Sequence, residues 1–313
     1  MKPDIVLIAQ YPPQIMAVLE ENFTCHKMYE APDRAAFLAS VAGKARGLAS
    51  TGVHGAPRDL ILALPKLEII SGFGVGYDAV DLPTVKEKNI VLTNTPNVLT
   101  DCVADLGMTL MLDAARRVPQ AERFLRDGQW LKGNYPAGVK VTGKRAGICG
   151  LGRIGTALAK RLSGFDMEIM YYDIEPKTNL PYRLMPSLLD LARNSDFFFV
   201  ACYGGPTTRK LIGEEVLRAI GTKGILVNIA RGSIVDEAAL VRVLEDKALG
   251  GAGLDVFEDE PNVPAKLLTF DNVVVTPHIA SNTHETRAAM GKLMCDNLIA
   301  YFSGKPPITR VEV

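Results

Sequence analysis

No charge of either sign prevails in this sequence: 35 lysines and arginines balance 35 aspartates and glutamates. Without a basic excess, nucleic acid and anionic membrane surfaces are not expected as partners. The five cysteines, Cys25, Cys102, Cys149, Cys202 and Cys295, are scattered and form no Cys-x-x-Cys pair. That spacing speaks against a disulfide framework or a zinc site and for reduced thiols, so no metal is expected. No apolar run approaches the ~20 residues of a membrane span. The opening stretch, MKPDIVLIAQ, loses its apolar character too early for a signal peptide. These features lead us to expect a cytoplasmic protein. Tryptophan occurs once, as Trp130, and histidine four times, so each histidine counts as a candidate for chemistry.

What is present describes a chain able to bury a large core: 313 residues, 48% hydrophobic and 22% charged. That length suits two domains of roughly 100–200 residues each. Short β-branched runs alternate with helical patterns: DIVLIA, LEIIS, NIVLTN, RAGICG, EIMYYD, DFFFVAC, GILVNIA, GGAGLDVF and NVVVTPH. Runs with so few polar positions suit strands buried on both faces of parallel sheets, which places the chain in the α/β class. One long helix is predicted from Thr100 or Asp101, as N-cap, to Gly128 as its stop, and a second from about Asn282 to Phe302. The partition expected from this pattern is a smaller lobe, residues 1–98, completed by 286–313, and a larger one over residues 99–285.

The stretch AGICGLGRIGTALAKRL carries Gly150-x-Gly152-x-x-Gly155 between a strand and a helix. Gly150 permits the tight turn, Gly152 lets amides approach a pyrophosphate, and Gly155 lets the helix pack closely on the strand. The next strand ends in Asp173, at 173 − 155 = 18 residues past the last glycine. An acid at about that spacing holds the ribose hydroxyls of an adenosine. With Glu175 nearby it disfavours a 2′-phosphate, so NAD(H) is preferred; Lys177 leaves NADP(H) open.

A second glycine-rich turn, SGFGVGYDAVD, has no adenosine-type acid after it and suits a small carboxylate. In VNIARGSIVDEAAL, Arg231 follows a buried strand, where its planar fork can hold a 2-oxo acid. The stretch EDEPNVPAKLLTFDNVVVTPHIAS sets Glu260 before a proline and His278 after one, 278 − 260 = 18 positions on. Imidazole titrates near neutrality and can give a proton to a carbonyl oxygen that is gaining negative charge. Glu260, bonded to its other nitrogen, would fix the tautomer. Asp255 at another strand end can meet a nicotinamide amide or cap a turn.

Taken with GFGVGYDAVD, NTPNVLTDCVADLGMTLML, GICGLGRIG, NIARGSIVDEAAL, GAGLDVFEDEP and TPHIAS, the chain resembles the D-isomer-specific 2-hydroxyacid dehydrogenases over nearly its full length. The resemblance implies two Rossmann-like lobes, with the cofactor lobe inserted into the substrate lobe, and a homodimer. It also implies a catalytic set of Arg231, Glu260 and His278 and a substrate carboxylate on the amides of Val75 and Gly76. Arg153 and Ile154 fall at the pyrophosphate, and Ala230 and Asp255 near the nicotinamide. RDGQW together with KVTGKRAGICGLGRIG looks like the glyoxylate/hydroxypyruvate reductase branch. The siblings acting on 2-ketogluconate, hydroxyphenylpyruvate or phosphoglycerate stay open, as does a dinucleotide-sensing corepressor of the same fold. Formate dehydrogenases pair the histidine with glutamine, unlike Glu260. ACYGGPTTRKLIG departs from the family pattern at Tyr203-Gly204. Trp130 or Leu131 either reaches a partner subunit or anchors a helix end.

Overall fold

The computed structural model describes residues 2–313. The chain divides into two compact units. One joins residues 1–99 to 282–313, and the other is the continuous stretch 100–281.

In the first unit, β1 (Asp4–Leu7), β2 (Thr24–Lys27), β3 (Gly47–Thr51), β4 (Ile69–Phe73) and β5 (Val91–Thr93) form one parallel sheet in the order β2-β1-β3-β4-β5. The runs behind β1, β4 and β5 are legible because their aliphatic residues are buried on both faces. β3 and β2 escape a search for aliphatic runs. β3 reads GLAST, with small residues at the centre of the sheet, because a side chain on Gly47 would press on Ile5 and Phe302. β2 reads TCHK at the sheet edge. The helix His284–Phe302 packs on this sheet, with Thr283 accepting from the Thr286 N–H at 3.3 Å as its cap. The Ser71 hydroxyl donates to the Met294 carbonyl at 3.1 Å.

The second unit has seven parallel strands: β6 (Arg145–Cys149), β7 (Glu168–Tyr172), β8 (Arg183–Leu184), β9 (Phe197–Val200), β10 (Ile225–Asn228), β11 (Gly251–Leu254) and β12 (Val273–Val275). Their order is β12-β11-β10-β9-β6-β7-β8. The winding direction reverses between β6 and β9, and in such sheets ligands bind at the carboxyl ends of the strands at that reversal. The central strands are apolar but for Arg145 at the start of β6 and Asn228 at the end of β10; Phe197, Phe198 and Phe199 of β9 are all fully buried. β8, two exposed residues long, leaves no pattern in the sequence.

The helix expected from residue 100 to 128 is two helices, Thr100–Arg116 and Val118–Arg126. Arg117 between them is left-handed, with φ 52°. Pro119, which has no N–H to continue a helical ladder, sits in the first turn of the second helix, where that lack costs little. Thr100 is the first helical residue rather than the cap. Gly128, left-handed at φ 66°, lies just past the end of the second helix.

Candidate active site

His278 and Glu260 meet directly: Nδ1 of the imidazole lies 2.7 Å from one Glu260 carboxylate oxygen. The other oxygen accepts from the Phe257 N–H at 3.0 Å, which fixes the carboxylate plane. Burial works against ionisation of Glu260, but the bonds from His278 and Phe257, aided by the charge of Arg231, outweigh it. The carboxyl is held below its ordinary range. Both side chains keep partial exposure, 31% for His278 and 20% for Glu260, so the imidazole is reachable from solvent.

The turn that carries His278 follows β12 and is organised by Asp255, the residue after β11. One Asp255 carboxylate oxygen accepts from the Thr276 hydroxyl at 2.7 Å and the Ile279 N–H at 2.8 Å. The other accepts from the Ala280 N–H at 2.9 Å. The Asp255 carbonyl accepts from the His278 N–H at 2.9 Å. Together these bonds hold His278 at φ 51°, a left-handed conformation uncommon outside glycine. Burial of this fully enclosed carboxyl, the dominant influence, raises its pKa despite the donors around it. The structure thus gives Asp255 a turn-organising place. A carboxylate offers about four lone-pair sites, and three are taken here.

Arg231 follows β10, and its neighbourhood is set by Asn228, a buried amide at the strand end. The Asn228 amide group donates to the Arg231 carbonyl at 2.9 Å, and its oxygen accepts from the Ala230 N–H at 3.1 Å. Arg231 Nη1 donates to the Ala230 carbonyl at 2.8 Å. The next residue, Gly232, has no space for a side chain: an added Cβ would fall on the Phe257 carbonyl carbon. That missing atom lets the arginine turn lie against the segment leading to Glu260.

The glycine loop behaves as its three positions require. Gly150 is left-handed at φ 92°, and a Cβ there would come within 2.5 Å of Cys202 backbone atoms. A Cβ on Gly155 would strike the Gly150 carbonyl, whereas Gly152 faces open space. Gly152 caps the helix Arg153–Ser163, so that Arg153 and Ile154 occupy its first turn. Asp173, at the end of β7, accepts from the Leu151 N–H at 2.8 Å and the Glu175 N–H at 3.0 Å. An open glycine at a helix N-terminus, with the preceding Leu151 N–H bonded to an acid that follows the next strand, fits a dinucleotide's pyrophosphate and ribose. Lys177 is engaged with Glu175 at 3.0 Å.

In the first unit the loop after β4 is pinned by its carbonyls. The Gly74 carbonyl accepts from the Thr95 N–H at 2.8 Å, and that of Val75 from the Asn94 side chain at 2.8 Å. The N–H groups of Val75 and Gly76 meet no acceptor among the described residues.

In the second unit, therefore, the structure groups His278, Glu260, Asp255, Arg231 and Ala230 at the ends of β10, β11 and β12. Asn228, Gly232 and Thr276 complete that group and were missed from sequence. The signal for Asn228 was a lone amide ending the apolar run GILVN; for Gly232 it was the glycine directly after Arg231.

A family model described as D-isomer specific 2-hydroxyacid dehydrogenase, NAD binding domain, matches residues 108–280. A hydroxyphenylpyruvate reductase from Plectranthus scutellarioides is 47% identical over 94% of this chain and 94% of its own length. The glyoxylate/hydroxypyruvate reductase A of Arabidopsis thaliana is 45% identical with the same coverage of both chains. Among solved structures, an NADPH-dependent glyoxylate/hydroxypyruvate reductase from Sinorhizobium meliloti, in complex with NADP and malonate, superposes with a TM-score of 0.94. It is 42% identical, covering 99% of this chain and 97% of its own.

Proposed function

Because the chain belongs to the D-isomer specific 2-hydroxyacid dehydrogenases, we propose that it reduces small 2-oxo acids, glyoxylate and hydroxypyruvate foremost, to D-2-hydroxy acids. The observation that carries this reading is the Glu260–His278 pair, with Arg231 acting on the same carboxylate, at the strand ends of a doubly wound sheet.

A bound nicotinamide dinucleotide supplies the hydride to the carbonyl carbon. Arg231 presents its guanidinium to the oxo acid and offsets the charge growing on the carbonyl oxygen. His278, whose Nδ1 faces Glu260, keeps Nε2 for the substrate and gives its proton to that oxygen. Glu260 orients the ring. The Val75 and Gly76 amides, which have no acceptor among the described residues, are suited to the substrate carboxylate. Gly150, Gly152, Arg153, Ile154 and Gly155 receive the pyrophosphate and Asp173 the ribose, with Ala230 and Asp255 towards the nicotinamide. On this reading residues 100–281 are the cofactor unit, and the other unit binds substrate.

NADH is the proposed reductant, because the Asp173 carboxylate and the nearby Glu175 would repel a 2′-phosphate, and Lys177 is already paired with Glu175. The proposed assembly is a homodimer. The helix Val118–Arg126 buries none of its own residues, and after it Trp130 and Leu131 stand 65% and 94% exposed, an apolar surface that a second copy would cover.

The test is a panel of glyoxylate, hydroxypyruvate, 2-ketogluconate and hydroxyphenylpyruvate with NADH and with NADPH, repeated with His278→Ala. Loss of the general acid should cost about 10²–10⁴ in kcat. Turnover within about threefold of wild type would remove His278 from that role, since the loss expected is far larger. A strong preference for NADPH would overturn the reading of Asp173.

A further inference from the structure

Two of the five cysteines sit on either side of the dinucleotide loop. Cys149 is the last residue of β6, immediately before Gly150, and Cys202 lies two residues beyond the end of the neighbouring strand β9. The strands are parallel and in register there, with the Ala201 N–H donating to the Cys149 carbonyl at 2.9 Å. The sulfur atoms are 3.9 Å apart. Cys149 is buried, whereas Cys202 is partly exposed on the loop that follows β9. Neither thiol is needed by the chemistry above.

We propose that Cys149 and Cys202 form a peroxide-sensitive dithiol whose oxidation to a disulfide weakens dinucleotide binding. The Cys149 thiol donates to the Cys202 sulfur, and this contact lowers the Cys202 pKa and raises that of Cys149. Cys202, the more exposed and more acidic thiol, is therefore the one that meets oxidant. Its thiolate attacks a hydroperoxide oxygen: the S–O bond forms, the O–O bond breaks, and the departing hydroxide takes a proton to leave as water. Cys149 then loses its proton and attacks the Cys202 sulfur. The S–S bond forms, the S–O bond breaks and a second water leaves. Two thiols give up two electrons, and one molecule of hydrogen peroxide becomes two of water.

The effect on the loop follows from the lack of slack at Gly150. A disulfide needs its sulfurs about 2.05 Å apart, so the pair must close from 3.9 Å. Gly150 follows Cys149 directly and already has no room towards the Cys202 backbone, and its carbonyl is where a Gly155 side chain would fall. Drawing Cys202 towards Cys149 therefore displaces the turn that the pyrophosphate uses. By reciprocity, bound dinucleotide must oppose the oxidation by the same factor.

The inference rests on the Gly150–Gly155 loop being the dinucleotide site, but its covalent step can be read without cofactor. The full chain is treated with hydrogen peroxide, with and without NADH or NADPH, and its peptides are mapped under non-reducing conditions. NADH affinity is measured by fluorescence titration before oxidation, after it, and after dithiothreitol. The expected result is a Cys149–Cys202 linked peptide that forms more slowly with dinucleotide present. Kd for NADH should rise at least about tenfold, or 1.4 kcal/mol, and dithiothreitol should restore it. Cys202→Ser should bind NADH as the reduced protein does and fail to respond to peroxide. Cys149→Ser should stop at a Cys202 sulfenic acid that a dimedone probe captures. The proposal is overturned if no Cys149–Cys202 peptide forms in the wild-type chain, or if it forms and Kd does not move. Reduced protein that binds neither dinucleotide would instead contradict the cofactor-site reading, and the peptide map would still report on the thiols.

Discussion

At the level of single residues, the proposed proton donor, His278, is held by its neighbours more than by its own preferences. His278 adopts a left-handed backbone because the Asp255 side chain and carbonyl gather the 276–280 turn around it. Asp255→Asn replaces one acceptor oxygen with a donor and leaves at least one buried turn N–H unpaired. The cost expected is ~1–3 kcal/mol of stability. A shift of the imidazole by an ångström would lower kcat by up to about 10². Calorimetry and steady-state kinetics with saturating dinucleotide would show both falling together; an unchanged Tm would mean that the turn does not depend on these bonds. Glu260 adds a pH dependence. Its folded pKa is depressed, so its stabilising contribution is complete above the unfolded-chain value of about 4.3. That contribution is lost as the pH falls through the lower folded value. The Tm advantage of wild type over Glu260→Gln should therefore be largest near neutrality and shrink below about pH 4; a constant gap would refute the assignment.

At the level of elements, the site depends on how closely one loop can approach another. Gly232 marks the nearest approach, between the Arg231 turn and the Phe257–Glu260 segment. Gly232→Ala should force them apart at about 1–3 kcal/mol or more, and kcat should drop while the Gly150 loop, two strands away in the sheet, still binds dinucleotide. Titration and thermal melts separate the two effects, and a fully active alanine variant would show that the loops have slack. This approach also explains what could be read from sequence. Strands with long apolar runs were visible by composition, the glycine loop, Asp173 and Arg231 by a chemical type beside a strand end, and the Glu260 and His278 candidates by an acid and an imidazole each next to a proline. β3 was invisible because its centre-of-sheet position demands small residues, which look like a turn. The break at Arg117 was hidden by an apolar periodicity that runs on through it; only Pro119 hinted at a boundary. Asn228 and Gly232 act through contacts with residues far along the chain, which no local pattern encodes.

At the level of the molecule, the apolar surface after residue 117 bears on assembly. Leu131, 94% exposed next to Trp130, is expected to be covered in a dimer. Light scattering should give twice the chain mass for wild type and the single-chain mass for Leu131→Asp at micromolar concentration. Wild type eluting as a monomer would rule out the dimer.

The division of the chain also governs how it is made. Residues 100–281 are one uninterrupted stretch, but the unit that begins at the amino terminus is closed by the helix His284–Phe302, whose Met294 carbonyl receives the Ser71 hydroxyl. On a ribosome adding roughly 5–20 residues per second, the first 99 residues emerge on the order of ten to forty seconds before that helix is synthesised. The second unit can complete its fold in that interval. The unit begun first is therefore finished after the other, and until then the sheet face that the helix will cover is open to chaperones.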